Sequence, residues 1–277
     1  MSGRGRAGAG GVSLIVALIM AGVALFHYFG SEQINATTGQ KQHVSISPGQ
    51  EIALGLQAAP QMEAQYGGLS HDAEGTALVD RVGERVLNNS DARNSPYKFQ
   101  YHLLADRDTI NAFALPGGQV FITEGLLRRL HTEGQLAGVL AHETTHVVAR
   151  HSAQHLAQEQ LTQGLTGAAV LATYDPNNPN SQRNTAVAAA IASLVNLHFS
   201  RQDELEADRR GVTYMSEAGY DPRAMIGVME VLKQAAGSSG RMPDFFSTHP
   251  NPDNREARIR AAIQALYPNG VPPGMKG

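Results

Sequence analysis

The sequence predicts a mainly helical α+β fold, with one small sheet near the start of a helical domain and a single transmembrane helix in front of it. Three observations carry this reading. Apolar residues recur at helical spacing through most of the chain after Thr123, two extended stretches lie between residues 98 and 123, and residues 12–29 run without a formal charge. With 277 residues and 42% hydrophobic side chains, the chain can bury a sizeable core.

Residues 1–11 form a basic leader, and its Arg4 and Arg6 are the only charges before Glu32. Val12 to Phe29 (VSLIVALIMAGVALFHYF) is an 18-residue run. At about 1.5 Å per residue it spans most of a bilayer core. It exceeds the roughly 7 to 15 residues of a secretory signal core, so it reads as an uncleaved anchor. Cleavage near Ile34-Asn35-Ala36 is the alternative, and it would leave a secreted or periplasmic protein. The basic leader then faces the cytoplasm, and everything after Ser31 lies on the extracytoplasmic (periplasmic) side.

Residues 30–46 are polar and aperiodic and predict a linker, which leaves 47–277 as the folded domain. Ser47 as N-cap and Pro48 at the first helical position predict a helix start. Ala77, Leu78, Val82 and Val86 predict a second helix over Ser70 to Leu87. Lys98 to Leu104 and Asn111 to Thr123 read as extended. Pro116-Gly117-Gly118 turns the second stretch between an apolar arm, Ala112 to Leu115, and a β-branched arm, Val120 to Thr123. Thr132 to His151 predicts one helix, with Leu136, Val139, Leu140, Val147 and Val148 on its apolar face.

A formal net charge of −3 argues against a nucleic-acid partner, which needs a clustered basic excess. The chain has no cysteine, which excludes disulfides, a thiolate nucleophile and Cys-ligated zinc. Any metal is therefore held by histidine and carboxylate.

His142-Glu143-Thr144-Thr145-His146 supplies that set. Two residues four apart on a helix sit about 40° from one another, so His142 and His146 can share one metal. Glu143 lies about 100° round from His142, beside the metal, where a carboxylate takes a proton from water. Composition alone gives about 0.02 chance matches to this pattern in a chain of this length. A third protein ligand is needed. The HExxHxxGxxH extension is excluded, because Ala149 and Ser152 stand where it requires Gly and His. Ser200 to Asp208 (SRQDELEAD) opens a further helix on which Glu204 and Asp208 share a face, with Glu206 about 200° from Glu204. Glu204 is the candidate to complete a His₂Glu site with water in the fourth position, and Asp208 the candidate to orient a ligand or the catalytic helix.

HETTHVVARH followed by SRQDELEADRRG resembles the CAAX-prenyl-protease and HtpX-type zinc metallopeptidases, gluzincins, especially their compact periplasmic and mitochondrial quality-control members. NAFALPGGQVFITEGLL at 111–127 and Ser247-Thr248-His249-Pro250 extend the resemblance, which covers Ser47 to Leu266. It implies a zincin-like domain with one Zn2+ per chain on His142, His146 and Glu204, with Glu143 and Asp208 serving catalysis. It also implies that His249, in a Pro-containing loop, can reach the zinc and act as a regulatory latch. Unlike multi-span relatives, the chain is expected to have one span, no second anchor and no tetratricopeptide-like extension after Gly277.

Val120 to Thr123 as an exposed edge strand beside the metal helix would pair with an extended polypeptide. Leu161 to Thr173 and Thr185 to Phe199 read as a helical hairpin over the cleft. His102, His131, His151, His155 and His198 lack ligand-like spacing and read as surface or core histidines. Tyr214 and Tyr220 are equally readable as core or as groups that polarise a carbonyl. The function that follows is a membrane-anchored zinc endopeptidase acting on unfolded or misassembled proteins. The alternative is a membrane-tethered, metal-containing chaperone.

Overall fold

The computed structural model describes residues 7–172, 198–239, 242–250 and 254–277. Helix α1 (Ala7–Gly30) leads into a hairpin of β1 (Glu32–Ile34) and β2 (Lys41–His43), followed by α2 (Pro48–Gln65) and α3 (Ala73–Asn88). A second sheet holds β3 (Gln100–Leu104), β4 (Ala112–Leu115) and β5 (Gln119–Thr123), and short α4 (Glu124–Leu127) follows it. The rest is helical: α5 (Glu133–Val148), α6 (His151–Ala172), α7 (Arg201–Glu217), α8 (Ala224–Ser239), α9 (Phe245–Thr248) and α10 (Arg255–Leu266). The expected mainly helical α+β class is the class observed.

Local chemistry sets the helix starts. Ser47 caps α2 reciprocally with Gln50, Pro48 follows at the first position, and Ser200 caps α7 in the same way with Asp203. Thr132 caps α5 by accepting from the Gln135 N–H.

The sheet order is β3-β5-β4, with β5 parallel to β3 and antiparallel to β4. Val120 to Thr123 is thus the central strand of its sheet and not the expected edge. Its β-branched run is buried throughout, as a strand covered on both faces requires. The edge strands are β3 and β4. The turn between β4 and β5 is the Pro116-Gly117-Gly118 segment, where both glycines take positive φ, +85° and +111°. A Cβ at Gly117 would stand 2.4 Å from the Ile52 Cα of α2, so only glycine fits this turn.

The expected linker at 30–46 contains the β1/β2 hairpin. Asn35 accepts the N–H groups of Thr37 and Thr38 to close its turn, and its amide donates to Val148 O at the end of α5. Hydrogen bonds and not apolar periodicity hold this segment, so a periodicity reading passes over it.

The helix expected from Thr132 to His151 is two helices. It stops at Val148, Arg150 adopts φ +60°, and α6 starts at His151. The buried Arg150 guanidinium enforces the break by donating to Glu51 Oε2 (2.9 Å), Ile46 O (2.7 Å) and Gln33 Oε1 (3.2 Å). Those bonds offset the roughly 1–2 kcal/mol cost of the left-handed backbone.

The core lies between one sheet face and α3, α5, α7 and α8, with Val79, Val82, Leu136, Leu140, Met215 and Met225 at its centre. A smaller cluster, Ala58, Met62, Phe113, Phe121 and Leu156, fills the space under α2. Helix α5 runs through the middle and is buried continuously from Gly134 to Val148. Helix α7 comes close to it at Gly211, where a Cβ would sit 3.4 Å from the His142 N.

Among the described residues, no helix is long and apolar enough to cross a membrane. Helix α1, its side chains described from Leu14 onward, packs along α6 and leaves Leu18 (64%), Phe26 (77%) and Phe29 (65%) exposed. Of the expected hairpin over the cleft, Leu161 to Ala172 belongs to α6, whereas residues 173–197 lie outside the described residues.

Candidate active site

A helix buried on every side must pair each of its polar groups within the protein. On α5, Thr144 bonds the Tyr101 hydroxyl of β3 (3.0 Å), and Thr145 donates to Ala141 O (2.9 Å). His142, Glu143 and His146 face α7 and the loop after α9. There His142, His146, Glu204 and His249 each bring one donor atom into a group spanning at most 4.8 Å, and all four side chains are buried.

Metal geometry is testable on these distances. A tetrahedral ion with 2.0–2.1 Å bonds needs ligand atoms about 3.3 Å apart. His142 Nε2 and His146 Nε2 are 3.1 Å apart, and His249 Nδ1 lies 3.4 Å from His142 Nε2 and 2.9 Å from Glu204 Oε1. Glu204 Oε2 stands 3.5 Å from His142 Nε2, and its Oε1 3.4 Å from His146 Nε2. The four donors thus lie within 4.8 Å of one another, close enough to share one ion. Charge agrees, because among the described residues the Glu204 and Asp208 carboxylates share one guanidinium, that of Arg255, which leaves net negative charge for a metal cation to offset. The group fits one zinc ion.

Asp208 stands outside this four-donor group and contacts its members. Its Oδ1 lies 3.0 Å from His142 Nδ1, so the ring turns Nε2 toward the cluster, and Arg255 grips the same carboxylate with Nε (2.6 Å) and Nη2 (2.8 Å). Burial works against ionisation here, but Arg255 and His142 outweigh it and hold the Asp208 carboxyl below its ordinary range. Burial likewise opposes charge on Glu204, and His249 and His142 overcome it, so that carboxyl falls well below its usual range. Glu143 is different. Burial outweighs the nearby imidazoles and pushes its carboxyl up, and both of its oxygens lack a hydrogen-bond partner. Its Oε1 lies 3.5 Å from His249 Nε2. A carboxylate aimed bare into the cluster suits a group that exchanges a proton with water there.

Three residues completing the site were not singled out by the sequence reading. Arg255 also ion-pairs with Glu204 Oε2 at 3.1 Å, and its only sequence signal is its place six residues after His249. Phe199 stacks on His146 with ring centroids 3.9 Å apart, while its N–H donates to Thr248 O (3.0 Å). His151, read as an ordinary histidine, lies against His146. Glu206 points away from the cluster, as its helical phase predicts, and faces His151 and Arg210 instead. Tyr214 is core, and Tyr220 donates to Glu133 Oε1 (2.6 Å), well away from the cluster.

The phase of α7 yields a prediction. Glu204→Gln loses most of the bound zinc, and Glu206→Gln keeps it, as measured by zinc content after dialysis. Release of zinc by Glu206→Gln with retention by Glu204→Gln would contradict the arrangement.

Comparison with known proteins agrees with this geometry. The chain is 30% identical over 262 residues to the beta-barrel assembly-enhancing protease of Escherichia coli (strain K12), an alignment covering 93% of this chain and 53% of that protein. It is 32% identical over 247 residues to the mitochondrial metalloendopeptidase OMA1 of Schizosaccharomyces pombe, covering 88% of this chain and 70% of the relative. The chain thus spans about half the length of the bacterial relatives it matches. The family model for peptidase family M48 matches residues 73–263, a span that contains both the HETTH helix and Glu204 and takes in His249 and Arg255. With the metal cluster and these alignments together, the chain belongs to peptidase family M48.

Proposed function

We propose that this chain is a zinc endopeptidase that hydrolyses peptide bonds in unfolded or misassembled proteins. The observation that supports it most directly is Glu143, fully buried and unpartnered beside the four-donor group. A purely structural metal site has no use for such a carboxylate. His142, His146 and Glu204 hold the metal, and Asp208 and Arg255 keep His142 and Glu204 in place. A zinc ion so held supplies the Lewis acidity that activates water and polarises the scissile carbonyl. Glu143 takes the proton from the attacking water and passes it to the leaving amine nitrogen. The substrate class is proposed from the relatives' printed names, a beta-barrel assembly-enhancing protease and a mitochondrial metalloendopeptidase.

His249 is the proposed latch. Its Nδ1, 2.9 Å from Glu204 Oε1 and 3.4 Å from His142 Nε2, would take the ligand position that water needs, and its ring is held by stacking on Phe245 with centroids 4.3 Å apart. The segment 198–199 bonds to Ser247 O and Thr248 O and keeps this loop down over the metal helix. The resting site is therefore closed, and cleavage waits on movement of the loop.

Residues 12–29 are proposed as an anchor that leaves the catalytic domain on the extracytoplasmic side. The sequence pattern supports this, as do the exposed Leu18, Phe26 and Phe29 on α1, which a membrane would shield. Protease added to intact spheroplasts should digest the chain after Ser31. Protection until detergent is added would reverse the orientation, and a mature N-terminus near Thr37 would replace the anchor with a cleaved signal.

Casein cleavage tests the enzyme and the latch together. Wild type should cleave slowly, Glu143→Gln should lose at least about 100-fold in rate with zinc retained, and His249→Ala should cleave faster with zinc unchanged. Equal cleavage by wild type and Glu143→Gln would remove Glu143 from the mechanism. Zinc-loaded wild type and His249→Ala that both fail to cleave would favour the tethered chaperone. Slowed cleavage in a zinc-loaded His249→Ala would reject the latch.

A further inference from the structure

His151 is buried and no step of the mechanism uses it, yet it makes the closest polar contact to the far side of a metal-ligand ring. Its Nδ1 lies 2.9 Å from His146 Nδ1, while His146 Nε2 points into the four-donor group. The contact depends on the break after α5. Residues five apart on a continuous helix diverge by about 140°, which would carry His151 away from His146. The left-handed Arg150 turns the chain, and α6 begins with His151 laid back against the ring. The buried Arg150–Glu51 pair that fixes the break therefore also fixes this contact.

Tautomer chemistry assigns the direction of the bond. A neutral imidazole that offers Nε2 to a metal carries its proton on Nδ1, so His146 must donate from Nδ1. His151 Nδ1 is then the acceptor, and the remaining proton of His151 sits on Nε2. That nitrogen faces two carboxylates of α7, Glu206 Oε2 at 3.6 Å and Asp203 Oδ1 at 3.7 Å, and has no closer partner. The orientation is thus favoured at both ends of the His151 ring: a donor on one side and negative charge on the other. Asp203 is held by His155 Nε2 (2.8 Å) and by the cap of α7, and Glu206 by Arg210 Nε (3.0 Å), so both carboxylates are fixed before any metal arrives.

We propose that His151 is the positioning residue for His146, its Nδ1 accepting a hydrogen bond from the His146 Nδ1–H so that Nε2 keeps its lone pair aimed at the metal. Asp208 serves His142 in the same way, and the two ligand rings of the HETTH helix are thereby braced from opposite ends of the site, one by α7 directly and one through the first residue of α6. The inference rests on the reading of the cluster as a zinc site.

Asparagine and glutamine at 151 separate positioning from mere filling of space. The Asn amide oxygen reaches the place of the imidazole Nδ1, whereas the Gln amide reaches that of Nε2. Zinc affinity is measured by competition with a chelator, with thermal unfolding of each metal-free variant as a control on the fold. His151→Asn should stay within about threefold of wild type. His151→Gln and His151→Leu should each lose about 10- to 100-fold in affinity, with metal-free unfolding close to that of His151→Asn. If the leucine variant does not fold, the Asn and Gln pair decides. Equal zinc affinity in those two variants, or wild-type affinity in a folded leucine variant, would overturn the role. Wild type that holds no zinc would instead sink the reading of the cluster as a metal site, and this inference with it.

Discussion

The complete burial of α5 is the constraint on which the rest of the structure depends. From Gly134 to Val148 every residue of that helix is buried, and it still carries two histidines, a glutamate and two threonines in one run. Each polar group must find a partner inside the protein, and the neighbouring elements are arranged to supply them. Tyr101 of β3 takes Thr144, Asp208 of α7 takes His142, and His151 of α6 takes His146. Gly211 lets α7 come close enough to bring Glu204 and Asp208 into range. Of these side chains Glu143 alone is left unpartnered, beside the four-donor group.

Electrostatics reinforces the same arrangement. Among the described residues two buried carboxylates, Glu204 and Asp208, share one guanidinium, which leaves net negative charge in a site shielded from water. Arg255 spans Asp208 and Glu204, so one cation orients a metal ligand and the carboxylate that braces the other. Loading a divalent ion relieves the remaining repulsion, which couples metal binding to the stability of the helices that form the site.

Much of this was legible in the sequence because it follows helical phase. The four-residue spacing of His142 and His146, and of Glu204 and Asp208, fixes which side chains share a face without knowledge of the tertiary fold. Ser47 announced its helix through cap chemistry that is wholly local. What escaped depended on contacts between distant segments or on breaks in periodicity. Val120 to Thr123 has the composition of a strand, but whether a strand is central or at an edge is decided by its neighbours, here β3 arriving in parallel. The β1/β2 hairpin is held by Asn35 and not by an apolar face. Arg150 gave no local sign of a left-handed turn, since its conformation is stabilised by Glu51, 99 residues earlier. That one break hid the role of His151. Arg255 drew no reading from the sequence because its partners, Asp208 and Glu204, lie on α7.

The central claim is that His142, His146 and Glu204 hold one zinc ion within this buried helix pair. The most direct measurement is X-ray anomalous scattering at the zinc edge on crystals of the protein. One peak per chain, about 2.0–2.2 Å from His142 Nε2, His146 Nε2 and a Glu204 oxygen, is the predicted result. A zinc-loaded protein whose anomalous peak lies elsewhere, or which engages Glu206 in place of Glu204, would contradict the account.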